Sequence, residues 1–336
     1  MKTLSEFQSF YDQQLNSKLQ ELETERKKFT GKIFAMSFIF VVIGLAGFFG
    51  FTLFKKENSF QQIQEAGVDP VWIFLGVIII LFIIILSFRI YAFSKKFTEK
   101  FKRNVIKEIV SFIDNSLNYS PENGISESEF MRSTIFTNSP DRYKMEDMVS
   151  GKIGSTSMKF SECHAEYKTT TTDSKGRTQT QWHTIFRGLF FIADFNKNFK
   201  TRTVVLPDTM EKMFGFLGKK LQSMNIGRDQ LIKLEDPEFE KQFVVYGQDQ
   251  VEARYILSTA LMKRILDFRN KTKRDISLSF VNSSVFVAVP VNKDLFEPRI
   301  FRTVMNFDFL KEYYEYISIT TELVEDLNLN TRIWNK

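Results

Sequence analysis

The sequence predicts an α+β protein in which an N-terminal two-helix transmembrane hairpin is followed by a cytoplasmic domain with a largely antiparallel sheet and flanking helices. Three observations point there. Two long runs without a charged residue lie near the N-terminus, β-branched clusters separated by turn-formers fill the middle, and helical periodicity returns towards the end.

Residues 1–32 carry Thr3 and Glu6 at capping-box spacing, and Leu4, Phe7, Tyr11, Leu15, Leu19 and Leu22 then recur at three- and four-residue steps. This is the pattern of an amphipathic helix. Residues 33–54, IFAMSFIFVVIGLAGFFGFTLF, run for 22 positions without a charge, where roughly 20 suffice to cross the hydrocarbon. Residues 71–90 make the second span, ending on Arg89, with Tyr91 beyond it at headgroup level. A charged segment precedes the first run and no small-residue cleavage pattern follows it, which argues against a removed signal peptide. Arg26, Lys27, Lys28 and Lys32 flank one span and a longer basic series follows the other, whereas the 55–70 connection balances Lys55 and Lys56 with Glu57, Glu65 and Asp69. The positive-inside rule therefore places both termini in the cytoplasm, the short loop outside, and the protein in the inner membrane.

Residues 91–118 continue the second span as a basic amphipathic stalk. Phe93, Phe97, Phe101, Val105, Ile109 and Ile113 form its apolar stripe, suited to packing on the N-terminal helix. Lys95, Lys96, Lys100, Lys102, Arg103 and Lys107 are candidate lipid contacts, each worth about 1 kcal/mol beside an anionic bilayer.

Residues 119–146, with Pro121, Gly124 and Pro140, read as a linker holding one short helix near 126–132. Residues 147–336 form the α+β domain. Strands are expected over 159–172 and 178–195 around the turn Asp173-Ser174-Lys175-Gly176, with 188–193 buried on both faces. A short strand at 203–206 stops at Pro207, and Asp208 caps a helix to about Gln222. A helix over 258–268, a hairpin around Asn282-Ser283-Ser284, and a last helix lined by Leu310, Tyr314, Ile317, Thr321, Val324 and Leu327 complete the domain.

The chain holds 37 phenylalanines, many of them in the spans and later strands, and they are not read as a binding signature. Cys163 is the only cysteine, which excludes an intramolecular disulfide and fits a reducing compartment. His164 and His183, with Cys163, Glu162 and Glu166 nearby, lack zinc spacing, and strand alternation sends neighbours to opposite faces. Gly151-Lys-Ile-Gly-Ser-Thr156 has serine where a phosphate loop needs lysine, so it reads as a glycine-marked turn. Glu235-Asp236 and Asp249 with Glu252 read as helix caps and solvated turns. The excess charge of +6 gathers around the spans, so the balanced remainder lacks a nucleic-acid footprint. No residue is put forward as catalytic, cofactor-binding or metal-ligating, and no cofactor is implied.

The stretches Arg187-Gly-Leu-Phe-Phe-Ile-Ala-Asp-Phe-Asn196, Lys200-Thr-Arg-Thr-Val-Val-Leu-Pro207, Leu234-Glu-Asp-Pro-Glu-Phe-Glu-Lys-Gln-Phe-Val-Val-Tyr246 and Glu252-Ala-Arg-Tyr-Ile-Leu257 resemble the bacterial membrane-protein family catalogued as domain of unknown function 3137. The paired spans and Phe7 to Tyr11, one residue longer than the family's Phe-x-x-Tyr, are similar too. The resemblance implies a bacterial inner-membrane protein and brings no activity, substrate or catalytic residue. Its motif residues read as architecture: Gly188 and Pro207 bound strands, Asp194 faces Arg202 across a turn, and Glu252 pairs locally with Arg254. The expectation is a membrane-anchored scaffold or regulatory protein whose partners are the bilayer and a membrane or cytoplasmic protein. The rival readings are an enzyme acting on a membrane-associated substrate and a lipid-binding module of the pleckstrin-homology kind.

Overall fold

The computed structural model describes residues 2–57, 70–208 and 229–329. The chain divides into two compact units, residues 8–105 with 297–307, and residues 1–7, 106–296 and 308–336.

The first unit is helical. Helix α1 (Leu4–Phe10) passes through a π-helical turn (Tyr11–Leu15) into α2 (Asn16–Glu57), and α3 (Pro70–Phe101) passes through a second π turn (Lys102–Ile106) into α4 (Lys107–Ile113), which with residues 4–7 is counted in the second unit. Thr3 and Glu6 form the expected reciprocal cap, with Thr3 N–H donating to the Glu6 carboxylate at 2.7 Å and Glu6 N–H to Thr3 Oγ1 at 3.3 Å. Phe29 stacks on Phe93 and Phe40 on Phe82, with centroids 3.7 and 3.8 Å apart. The partner number falls as the α2 number rises, so α2 and α3 run antiparallel. Both helices are long and apolar enough to cross a membrane. Large apolar side chains face outward along them: Phe34, Phe38, Ile43 and Phe49 on α2, and Ile80, Ile84 and Phe88 on α3. Most of the expected 55–70 loop lies outside the described residues.

The second unit is built on one antiparallel sheet of nine described strands: β1 (Leu117–Ser120), β2 (Arg142–Ile153), β3 (Thr156–Thr172), β4 (Thr178–Asp194), β5 (Thr203–Pro207), β6 (Gln230–Ile232), β7 (Phe243–Gly247), β8 (Ser277–Val281) and β9 (Ser284–Pro290). Their spatial order is β1-β2-β3-β4-β9-β8-β5-β7-β6. The β3–β4 hairpin turns where expected: Asp173 accepts from the N–H groups of Lys175 and Arg177, and Gly176 adopts φ +76°. Asn282, at φ +55°, makes the β8–β9 turn. Residues 188–193 of β4 lie between β3 and β9 and are buried on both faces. Phe186, Phe190 and Ile192 enter a cluster with Phe130 and Phe136, while Leu189 and Phe191 fill the opposite face.

Four short or medium helices are α5 (Glu127–Arg132), α6 (Pro237–Gln242), α7 (Gln250–Ile256) and α8 (Thr259–Thr272), followed by α9 (Phe307–Asp326). Asp236, Asp249 and Ser258 cap α6, α7 and α8 through their side chains, the role expected of the two aspartates. Phe7 stacks on Tyr314 of α9 at 4.4 Å. The helix expected from Asp208 to Gln222 falls, beyond Asp208, outside the described residues.

The stretch 119–146 holds the short helix expected near 126–132, but it packs into the domain and is not a linker. β1 pairs residues 117–120 with 148–151, Ser126 and Glu129 form a complete capping box on α5, and Phe130 is fully buried in the phenylalanine cluster. A four-residue strand is too short to display a period, which is why β1 reads as irregular in the sequence.

Candidate functional site

The basic stalk separates into different environments. Lys95, Lys96, Arg103 and Lys107 are exposed, and Arg103 pairs with Glu99 at 3.3 Å. Lys100 is held by Glu21 and Glu25 of α2 at 2.8 and 2.9 Å, and these hydrogen bonds raise its pKa. Lys102 is only 5% exposed. These two depart from the expected lipid-facing set. A strict four-residue repeat hides the π turn that begins at Lys102, where the wider winding moves later side chains round the axis. Phe97, Phe101, Val105 and Ile109 are buried, as an apolar stripe requires.

Of the motif residues, Asp194, Arg202 and Glu252 belong to or bind the loop 195–202 between β4 and β5. Gly188 sits opposite Pro290 at φ +151°, and a Cβ there would strike the Val289 carbonyl and the Pro290 backbone, so a side chain is excluded. Pro207 closes β5 opposite Phe243. Asp194 Oδ1 accepts from Asn196 N–H at 3.0 Å, which makes a local turn. Two backbone bonds, Phe195 N–H to Ser283 O at 2.8 Å and Phe199 N–H to Asn282 O at 2.5 Å, tie the loop to the β8–β9 turn. From the other side, Glu252 of α7 accepts from Lys200 N–H (3.0 Å), Thr201 N–H (2.7 Å) and Thr201 Oγ1 (2.5 Å). Burial pushes the Glu252 pKa up. The bonds from Thr201 and Lys200, with the Lys197 charge, more than reverse this and hold it below the ordinary carboxylate value. Lys197 Nζ lies 3.2 Å from the Tyr255 ring centroid, and desolvation lowers its pKa.

Two expected pairs are replaced. Arg202 grips Asp229 through Nε (2.5 Å) and Nη2 (3.1 Å), not Asp194. Arg254 donates to the Lys233 carbonyl at 3.3 and 3.1 Å, not to Glu252, whose oxygens are taken by the loop. The extended tight turn at Asn196, φ +56°, turns Asp194 onto its own backbone, and α7 points residues 252 and 254 in different directions. The corner therefore works as a latch between two turns and a helix. Val251 and Tyr255, one helical turn apart on α7, stay exposed beside it, at 78% and 49%.

His164 and His183 are not brought together. His164 Nε2 is 3.6 Å from the Glu166 carboxylate, while His183 Nε2 bonds Thr169 Oγ1 at 2.8 Å and its ring stacks on Tyr167. Cys163 is fully buried, and desolvation pushes its thiol far above the reactive range. A grouping that the spacing does not show is Glu146, Asp147 and Glu162, one carboxylate oxygen of each lying within 4.8 Å of the others. Glu146 and Glu162 face one another across β2 and β3, and a bulge after Glu146 places Asp147, at φ +58°, beside them. Tyr119 Oη donates to Asp147, Leu295 N–H donates to both Glu162 oxygens at 3.0 Å, and Lys144 Nζ is 2.6 Å from Glu146. Oxygen-only groups of this kind suit hard cations, but here hydrogen bonds and a lysine already engage all three carboxylates. Only the strand register, which no motif encodes, could have revealed it.

The latch, most of β4, and β8 and β9 lie within the stretch that matches a family model described as "Protein of unknown function (DUF3137)", residues 184–329. Residues 184–329 are a DUF3137 domain. The DUF3137 domain thus begins inside β4 and includes both the Gly188 contact and the Glu252 latch, the positions that carried the resemblance. No curated protein matches the chain. Among solved structures, the crystal structure of the mycobacterial trehalose monomycolate transport factor A, TtfA, is similar at 9% identity and a TM-score of 0.32, covering 66% of this chain and 95% of that one. That likeness is too slight to transfer a fold or a function.

Proposed function

We propose that the protein is a membrane-anchored scaffold or regulator that presents its DUF3137 domain at the cytoplasmic face of a bacterial inner membrane. The observation that carries this is the outward-facing apolar surface of the hairpin. From Phe34 to Phe49 and from Val77 to Phe88, large side chains project where a water-soluble helix pair would place charges. In lipid this surface has no cost. The flanking basic residues, Lys27, Lys28 and Lys32 on α2 and Lys95 and Lys96 on α3, support an orientation with both termini inside. In the DUF3137 domain, the motif side chains are spent on latching loops, and α7 offers Val251 and Tyr255 as a partner contact. The open strand order lends less support to a pleckstrin-homology-like module.

Membrane anchoring is tested on the full chain by alkaline carbonate extraction and by protease added to spheroplasts. The protein is expected to stay in the pellet with its sheet domain protected. Release by carbonate, or digestion of the C-terminal half from outside, would overturn the reading. Presentation of α7 is tested with a photocrosslinker at position 251 or 255 in growing cells. One discrete adduct of the same identity at both positions is expected, and no adduct at either would remove the scaffold role.

A further inference from the structure

The segment 297–307 leaves the sheet domain between β9 and α9 and belongs with the helical unit. Two bonds fasten it to α2. Arg26 Nη1 donates to the Ile300 carbonyl at 2.8 Å, and Val304 N–H donates to Glu23 at 3.2 Å. Arg26 is in turn gripped by Glu23 through Nε at 2.9 Å and Nη2 at 2.7 Å, and both side chains are buried. A buried, bidentate pair sets the position of this strap.

The fastening point lies close to the first apolar run. Arg26 precedes Ile33 by seven residues, about 10 Å along a helix, and the headgroup layer on one side of a bilayer is roughly 5–8 Å deep. Ile300 and Val304 turn inward, whereas Arg299, Phe301 and Arg302 are exposed, Phe301 at 56%. The fixed Ile300 carbonyl therefore has an outward aromatic ring directly after it, with an arginine on each side. At the same end of the hairpin, Lys27, Lys28 and Lys32 are exposed on α2. The acids nearest in sequence to Arg26 are already engaged, Glu23 by Arg26 and Glu21 and Glu25 by Lys100.

We infer that residues 299–302 are a second membrane contact, in which Phe301 reaches into the headgroup layer while Arg299 and Arg302 bind the phosphates of anionic phospholipids. The chemistry favours lipid over a protein partner on two grounds. The strap is pinned within reach of the surface that the apolar spans imply, and arginine beside an aromatic ring suits a phosphate-bearing interface. This contact rests on the membrane-anchor reading and adds to it a site some 270 residues away in sequence.

The test uses the full chain in nanodiscs, of phosphatidylcholine alone or mixed with phosphatidylglycerol. A nitroxide is placed by F301C, with K175C at the exposed β3–β4 tip as the aqueous reference; the buried Cys163 stays unlabelled, as the wild type checks. With phosphatidylglycerol present, the 301 label is expected to collide freely with oxygen and to lose collisions with a water-soluble nickel chelate. R299E/R302E is expected to abolish that shielding while leaving thermal unfolding unchanged. A 301 label as open to nickel as the 175 label would overturn the inference, as would shielding from both oxygen and nickel regardless of lipid, which marks a protein contact. Carbonate extraction of the same samples separates failure of this contact from failure of the anchor.

Discussion

The helical hairpin and the sheet domain use one residue type in opposite ways. In the sheet domain, Phe130, Phe190, Phe191 and Phe286 are fully buried. In the hairpin, Phe34, Phe38, Phe49 and Phe88 face outward, and the buried interior near its base holds Glu23 and Arg26. The difference teaches that phenylalanine count says little until the solvent around each region is known. Burial in one region is hydrophobic and non-directional, and at the base of the other it is a geometric pair that depends on both members.

The sharpest break is therefore at the phenylalanine cluster. Phe190→Ala, facing Phe130 at 5.0 Å and Phe286 at 6.3 Å, should cost about 3–5 kcal/mol, read as a lowered denaturant midpoint of the sheet domain. Arg26→Ala strands Glu23 in its buried site and should cost the helical unit a comparable amount, about 3–5 kcal/mol. Its signature differs, because it should also free the strap 297–307 to limited proteolysis. Next comes pH. The Arg26 hydrogen bond, against some desolvation, holds Glu23 below its ordinary value of 4.5, so its stabilisation is present above that value and is lost as pH falls through the lowered one. Thermal unfolding in detergent should weaken with acidification, and Glu23→Gln should flatten that slope. Glu252→Ala should cost about 1.5–3 kcal/mol and speed amide exchange at Lys200 and Thr201 while sparing β4. The smallest effect belongs to Phe38→Ala. Its side chain is 70% exposed, so the change in stability should stay below about 0.5 kcal/mol, and a core-sized loss would show that protein packs around it.

The spans, the β3–β4 and β8–β9 hairpins and the caps at Asp236 and Asp249 were legible because each is local: hydropathy, turn residues and N-cap chemistry all act within a few positions. What depended on distant pairing was not. Arg202 finds Asp229 across 27 residues, and Glu252 reaches back 51 residues to Thr201, so a nearest-neighbour reading chose Asp194 and Arg254 instead. Lys102 shows a different limit. It stands among basic neighbours in the sequence and a π turn leaves no compositional mark, so the buried lysine looked like its exposed companions. Strand β1 was hidden by its brevity, since it becomes a strand only because residues 148–151 of β2 come to meet it.

The strap also orders events in time. Ile300 follows Arg26 by 274 residues, and at about 5–20 residues added per second the ribosome needs roughly 14–55 s to deliver it. For that interval the emerging hairpin carries its Glu23–Arg26 pair without the cover of the strap. Fastening the base of the hairpin thus waits until the 274 residues that separate Arg26 from Ile300 have been made, and a nascent chain truncated before residue 300 would carry an undone clasp.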